Sequence, residues 1–347
     1  MRAILVGCGA MSPAWLRSAK EVEGLEIAGL VDLREDAARA RQLEFGLDKA
    51  AIGSNLEHLL EQIKPDVLFD CTVPEAHYSN ALMAFKHGVH VLGEKPLADT
   101  LPRARAMVEA ARKANLIHAV IQNRRFDPNI RRVRRFLENG GIGEITTVNA
   151  DFYIAAHFGG FRDAMQHPLL LDMAIHTFDA ARLISGQDPV SVYCQEWNPK
   201  GSWYAHGASA MAIFEMTGGV IFNYRGSWCS EGAHTAWESD WRIIGTQGTL
   251  RWDGGAHPKA SVVSAAVHKV GDGWSSMFAS QDTSELPGLD PQDRVGAHAG
   301  LIREMVQCIR WGQTPETASS DNIKSLAMVF AAIESAQTGA KVAVSWD

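Results

Sequence analysis

The chain has 347 residues, 46% of them hydrophobic and 21% charged, with a formal net charge of −7. That length and composition favour two globular domains, and the lack of a chain-wide basic surface argues against nucleic acid as a partner. Five widely spaced cysteines with no C-x-x-C pair argue against a disulfide framework or a thiolate metal site. The apolar run after Met1 is below signal-peptide length and no stretch approaches a membrane span, so a soluble cytoplasmic protein with no membrane partner is the expectation.

The first third alternates strand and helix signals. "RAILVGCG" reads as a strand running into a glycine turn, and "SPAWLRSAKEV" as a helix with Pro13 in its first turn. "EIAGLVD" and "DVLFDCT" are further strands, each followed by a helix, "EDAARARQLEFG" and "PEAHYSNALMAFKHG". "VHVLGE", "LPRARAMVEAARKAN" and "LIHAVIQN" continue the series. Such alternation predicts a parallel sheet covered on both faces by helices.

The pattern changes near Asn123, and the predicted domains are 1–122 and 123–347. "DPNIRRVRRFLENGG" is a helix capped by Asp127. Its apolar side carries Ile130, Val133, Phe136 and Leu137, which leaves its arginines for a solvated face. Arg124 and Arg125, ahead of it, stay open as ligand contacts. "EITTVNADFYIA", "ASAMAIFEM", "GVIFNYRGSW", "DWRIIG", "TLRWDG" and "ASVVSAAVHK" then read as strands without intervening helices. The expected fold is therefore α/β, a Rossmann domain followed by an α+β domain with a large, mostly antiparallel open sheet. Two helices, "GLIREMVQCIRWG" and "NIKSLAMVFAAIESAQTG", close the chain.

Three stretches carry chemistry. Gly7-Cys8-Gly9-Ala10-Met11-Ser12 matches G-x-G-x-x-G except for Ser12 in the third place. In a strand–turn–helix setting this pattern brings a pyrophosphate onto backbone N–H groups. Asp32, at the end of the second strand, suits the ribose hydroxyls and repels a 2′-phosphate, favouring NAD over NADP, with Arg34 nearby softening that preference. Glu94-Lys95-Pro96 follows the fourth strand, on the side where open α/β sheets bind ligands, although by itself E-K-P also reads as a surface loop. The third stretch is "LLLDMAIHTFDAARLI", an apolar helix that holds Asp172 and His176 four apart, with Asp179 beyond them. An isolated Asp–His pair on a helix is commonly structural; metal binding through these three residues lacks a further ligand cluster, and none is expected.

Taken in order, "GCGAMS", Asp32, "CTVPEAHYSNALMAFKHGVHVLGEKPL" and the D-x-x-x-H helix resemble the Gfo/Idh/MocA (glucose–fructose oxidoreductase / inositol dehydrogenase / MocA) family across essentially the whole chain. The resemblance implies an NAD-dependent oxidoreductase in which Lys95, Asp172 and His176 meet around a substrate hydroxyl, at one wall of a cleft between domains. It also implies oligomers, a homodimer or homotetramer, formed through the C-terminal sheet. Expected cofactor contacts are Gly7, Gly9, Ala10, Met11, Asp32, Arg34, Thr72, Pro74, His77, Glu94, Lys95 and Gln122. Expected substrate contacts are Lys95, Tyr153, His157, Asp172, His176 and Asp179, joined by one or two of the tryptophans crowding the second domain.

The chemistry fits alcohol oxidation. A base must remove the hydroxyl proton, which suits His176, and a cation must stabilise the developing alkoxide, which suits Lys95. The expected activity is oxidation of a secondary ring hydroxyl of a sugar, glycoside or cyclic polyol, or the reverse. The alternatives are a hydrolase-like enzyme that retains NAD and oxidises transiently, and a non-catalytic NAD-dependent regulatory protein.

Overall fold

The computed structural model describes residues 1–347, which divide into two compact units: 1–126 with 294–327 and 346–347, and 127–293 with 328–345.

In the first unit, β1 (Arg2–Val6), α1 (Ser12–Lys20), β2 (Glu26–Val31), α2 (Glu35–Phe45), β3 (Ala51–Gly53), α3 (Leu56–Ile63), β4 (Val67–Asp70), α4 (Pro74–Lys86), β5 (His90–Gly93), α5 (Leu101–Ala114) and β6 (His118–Val120) follow one another. The six strands are parallel in the order β3-β2-β1-β4-β5-β6. Strands such as "VLFD" are buried along their whole length, as a sheet covered on both faces requires. Strand order reverses between β1 and β4, and in such folds ligands bind beyond the carboxyl ends at that reversal. The sequence reading omitted β3 and α3, although α3 carries the expected signals: Asn55 caps it by accepting from the His58 N–H, and Leu56, Leu59, Leu60 and Ile63 form its buried stripe.

In the second unit, α6 (Pro128–Glu138), β7 (Ile145–Tyr153), α7 (Ile175–Ser185), β8 (Pro189–Trp197), β9 (Ser209–Met216), β10 (Ile221–Ser227), β11 (Asp240–Gly245), β12 (Gly248–Trp252) and β13 (Lys259–Ala265) lead to a small hairpin of β14 (Lys269–Val270) and β15 (Gly273–Trp274). β16 (Ser280–Glu285) and, near the C-terminus, β17 (Val342–Ala343) complete a nine-stranded sheet ordered β16-β13-β12-β11-β7-β10-β9-β8-β17. Only β7 and β10 pair in parallel. Side chains alternate along each strand, so one face packs on α7 through Phe178 against Phe214, Phe222 and Tyr224. The opposite face leaves Tyr193, Met211 and Ile213 exposed.

Several expectations are corrected. α8 (Ala297–Trp311), in the second of the two domains expected from the sequence, groups with the first unit, where Leu301, Ile302, Met305 and Val306 join the core around Trp15 and Phe69. α9 (Ser319–Thr338) contributes residues to both units. The arginines of α6 are not simply solvated. Arg132 donates to the carbonyls of Leu286, Pro287 and Ala256, and Arg135 to Asp293 and the Gly288 carbonyl, holding the chain that follows β16. Arg125 pairs with Asp321 at 3.1 Å within the first unit, and Arg124 is half-buried. No helix is long and apolar enough to cross a membrane.

Candidate functional site

In the first unit the turn after β1 is built around Gly7, whose φ is +90° and whose N–H donates to the Val31 carbonyl at 2.8 Å. A Cβ at Gly7 would lie 2.5 Å from the Cys71 carbonyl oxygen, so no other residue fits this turn beside β4. A Cβ at Gly9 would meet nothing within 4 Å; the backbone there faces open space, as the cradle of a pyrophosphate must. Ser12 replaces the third glycine without disturbing the turn, because its hydroxyl donates to the Gly9 carbonyl at 2.7 Å. Arg41, which the sequence reading missed, donates to Ser12 Oγ at 3.0 Å and to the Gly9 carbonyl at 3.2 Å, bracing the turn from α2. Ala10 and Met11 are exposed at the tip.

Asp32 is held in place by both of its oxygens. Oδ2 accepts the Cys8 N–H at 2.8 Å and Oδ1 the Arg34 N–H at 2.9 Å, which ties the carboxylate to the glycine turn; Arg34 itself is exposed. Burial, reinforced by Asp32, pushes the Cys8 thiol up to about 12, so no thiolate nucleophile forms in the turn.

The loops after β4 and β5 are tied together. Thr72 donates from N and Oγ1 to Asp70 Oδ1, at 3.1 and 2.5 Å, and Pro74 starts α4. His77 is buried, with Nδ1 3.0 Å from the Pro96 carbonyl and Nε2 3.1 Å from the Thr72 carbonyl. Glu94 accepts the Trp15 indole N–H at 2.8 Å and the Lys95 N–H at 3.2 Å. His77 and Glu94, expected as cofactor contacts, therefore brace the backbone that carries the half-buried Lys95; the Lys95–Pro96 peptide is cis. At the end of β6 the Gln122 amide is buried with neither its oxygen nor its nitrogen hydrogen-bonded. A buried amide left so is costly unless a ligand completes it. The residues thus fit a dinucleotide: an open glycine cradle, an oriented carboxylate after β2, and an orphaned amide beyond β6.

In the second unit "LLLDMAIHTF" is not a uniform α-helix. Leu169–Ala174 form a π-helical turn that runs straight into α7. A widened turn of i→i+5 bonds still leaves a residue and its fourth successor on one face, and such turns recur at functional sites. Asp172 lies in that turn and His176 in the first turn of α7, both buried. Asp172 Oδ2 accepts from Arg162 Nε at 2.7 Å, a charge-assisted bond that the sequence reading did not foresee. The arginine stacks over Phe161 and Phe158, at 4.7 and 5.3 Å from the ring centroids. The available signal was an arginine preceded by two phenylalanines in "HFGGFRDA", ten residues before the aspartate.

From Phe158 the aromatic surface continues to Trp228 and Trp237, each 6.3 Å away. His157 stacks on Trp203 at 3.7 Å and pairs with Glu231 at 2.8 Å. Trp228, Trp241 and Trp252 are buried in the fold, whereas Trp237 is exposed beside Phe158 and Trp203 stacks on His157. Burial, opposed by a bond with Trp203 and reinforced by Asp163 and Asp172, raises the Tyr204 phenol to about 12, so it stays neutral.

Asp179 and Tyr153, also expected as substrate contacts, lie in the same unit. Asp179 is 2% exposed and lies 3.8 Å from Arg182, which also binds Asp188; it belongs to a buried ion network of α7. Tyr153 follows Phe152, and strand alternation turns it to the sheet face shared with Asp151 and Arg225, away from α7.

Residues 1–122 match the family model described as an oxidoreductase family with an NAD-binding Rossmann fold, and residues 130–251 match the GFO/IDH/MocA C-terminal domain. The chain is 27% identical to a D-apiose dehydrogenase of Paraburkholderia graminis over 347 residues, covering 97% of this chain and 88% of that one. It is 25% identical to a 1,5-anhydro-D-fructose reductase of Ensifer adhaerens, covering 96% of each. The crystal structure of an oxidoreductase from Agrobacterium radiobacter in complex with NAD+, L-tartaric acid and magnesium superposes with a TM-score of 0.86 at 22% identity, over 99% and 98% of the two chains. With both of its domains matched in order, the chain belongs to the Gfo/Idh/MocA family of NAD(P)-dependent oxidoreductases.

Proposed function

We propose that this protein oxidises a secondary ring hydroxyl of a sugar, glycoside or cyclic polyol, or runs the reverse reduction, with NAD as cofactor. The observation that carries the reading is the Asp172–His176 face, buried, paired with Arg162 and flanked by exposed aromatic rings. Relatives that act on D-apiose and 1,5-anhydro-D-fructose support a polyhydroxylated substrate.

In this mechanism His176 accepts the proton of the reacting hydroxyl, and Lys95 stabilises the negative charge that develops on the oxygen. Asp172, fixed by Arg162, accepts a hydrogen bond from a substrate hydroxyl and limits how the ring can turn. Glu94 and His77 restrict the Lys95 backbone, so the ammonium is presented from a braced loop. Gly7, Gly9, Asp32 and Gln122 would hold NAD, which supplies the two-electron acceptor when bound. The carboxylate of Asp32 favours NAD over NADP. The exposed Tyr193, Met211 and Ile213 support association of copies through the open sheet as a dimer or tetramer, and five free cysteines support a reducing, cytoplasmic setting.

The test is a panel of hexoses, disaccharides, glycosides and inositols with NAD, read at the NADH absorbance band. Net NADH from at least one compound is expected. Silence across the panel, beside turnover of a linear hydroxy acid or an amino acid, overturns the reading.

A further inference from the structure

Arg162 leaves a short turn, Gly160–Ala164, entered through Gly159 and Gly160 at φ +68° and +72°. The two glycines turn the chain sharply enough for Phe158 and Phe161 both to lie against the guanidinium plane. Nε is the atom that bonds Asp172, and the side chain remains 30% exposed, so the Nη edge is open to a further acceptor. A guanidinium is a planar fork of donors only, and a carboxylate offers acceptors only. Side by side they present donor and acceptor groups to one ligand, with Nε and Oδ2 2.7 Å apart. That pattern matches two neighbouring hydroxyls, one donating to Asp172 and the other accepting from Arg162.

Charge selects among such ligands. The Arg162 cation is already balanced by Asp172, while Asp163 lies close enough for both carboxylates to act on Tyr204, and Glu231 sits against His157. A substrate carboxylate or phosphate would meet this surplus of acidic groups, whereas an uncharged diol meets only matched hydrogen-bonding partners. The exposed rings of Phe158, Phe161 and Trp237 give the apolar C–H side of a ring a surface to cover.

We propose that Arg162 is a specificity-determining residue: together with Asp172 it reads an uncharged vicinal diol, binding the hydroxyl next to the one that is oxidised. This rests on the dehydrogenase reading above. It makes Arg162 more than a support for Asp172, and the two roles separate in experiment.

The experiment compares wild type with Arg162→Met and Arg162→Lys on D-glucose, methyl β-D-glucopyranoside and myo-inositol. Their monodeoxy analogues and D-glucuronate complete the set. NAD binding, followed by fluorescence, should be unchanged in both variants, because the glycine turn and Asp32 belong to the first unit. In wild type, the analogue lacking the hydroxyl adjacent to the oxidised carbon should lose about 10²-fold in kcat/KM, the size expected of a hydrogen bond to a charged group. In Arg162→Met the parent should fall to that level, mostly through KM, and the deoxy analogue should fall little further. Arg162→Lys should recover only part of the loss, since an ammonium lacks the planar fork. Equal losses on parent and analogue, or a wild-type preference for D-glucuronate over D-glucose, overturn the proposal alone. NADH formation from none of these compounds overturns the dehydrogenase reading and the proposal together.

Discussion

Gly7 and Gly9 are two residues apart in one turn and answer to different demands. At Gly7 an added Cβ collides with the Cys71 carbonyl in a left-handed backbone, so Gly7→Ala should destabilise the fold by about 1–3 kcal/mol, measured by urea unfolding. Gly9→Ala finds open space and should leave stability within about 0.5 kcal/mol of wild type, while weakening NAD about tenfold or more because the methyl occupies the cradle. Equal stability losses at the two positions would remove the distinction. Asp32→Ala should narrow the preference for NAD over NADP by removing the carboxylate that Cys8 and Arg34 hold in place; a wild type that prefers NADP would show that a cation such as Arg34 dominates. His176→Ala and Lys95→Ala should each lower kcat, by about 10²–10⁴-fold for the loss of a general base, with NAD titrating normally. Near-normal turnover of both variants at saturating substrate would remove their assigned roles. Of these residues the sequence marked the glycines and Asp32 by their spacing in a strand–turn–helix setting, and Lys95, Asp172 and His176 through the family resemblance. It could not separate His77, whose ring bonds two loop carbonyls, and Glu94, which accepts from the Trp15 indole and the Lys95 N–H, from residues left open to a ligand.

At the scale of elements, α7 joins the sheet core to the Asp172–His176 face. Phe178, fully buried among Phe214, Phe222 and Tyr224, lies two residues beyond His176. Phe178→Ala should cost about 3–5 kcal/mol in denaturant unfolding, because a large aromatic cavity cannot collapse beneath a rigid sheet. A loss under about 1 kcal/mol would mean that α7 is not held by this contact. Five of the six strands of the first unit were legible because burial on both faces makes them continuous apolar runs, whereas β3, three residues long and half-buried, was not. β16 was not: Ser280–Glu285 is polar and exposed throughout, an edge strand held by backbone pairing to β13 and therefore without a hydrophobic period. The π turn was equally hidden, since Leu169–Ala174 has the composition of any apolar helix and the i→i+5 pattern leaves no mark in the residues.

Across the molecule, titration should follow the buried His118 and the half-buried His90 and His298 of the first unit. Burial lowers His90 and His298 below the ordinary value of 6.5, and burial reinforced by His77 lowers His118 to about 3. A depressed histidine in the folded state means that the unfolded chain binds protons first. Its contribution is complete above pH 6.5 and is lost as the pH falls from there toward the folded value. The fully buried His118 should remove up to roughly 1.4 kcal/mol per pH unit within that window. Urea unfolding at pH 7.5 and pH 5 should show the loss, and His118→Gln should flatten it; a variant with the wild-type slope would assign the effect elsewhere.

The sequence by itself determined the two kinds of sheet and the dinucleotide turn, because each rests on a local period or a short spacing. Only the tertiary structure decided that α8 packs with the first unit, that Arg162 grips Asp172, that Asp179 is buried beside Arg182, and that Tyr153 shares a sheet face with Asp151 and Arg225. Those facts depend on which distant side chains share a core or an ion pair, and no local pattern of residues records that.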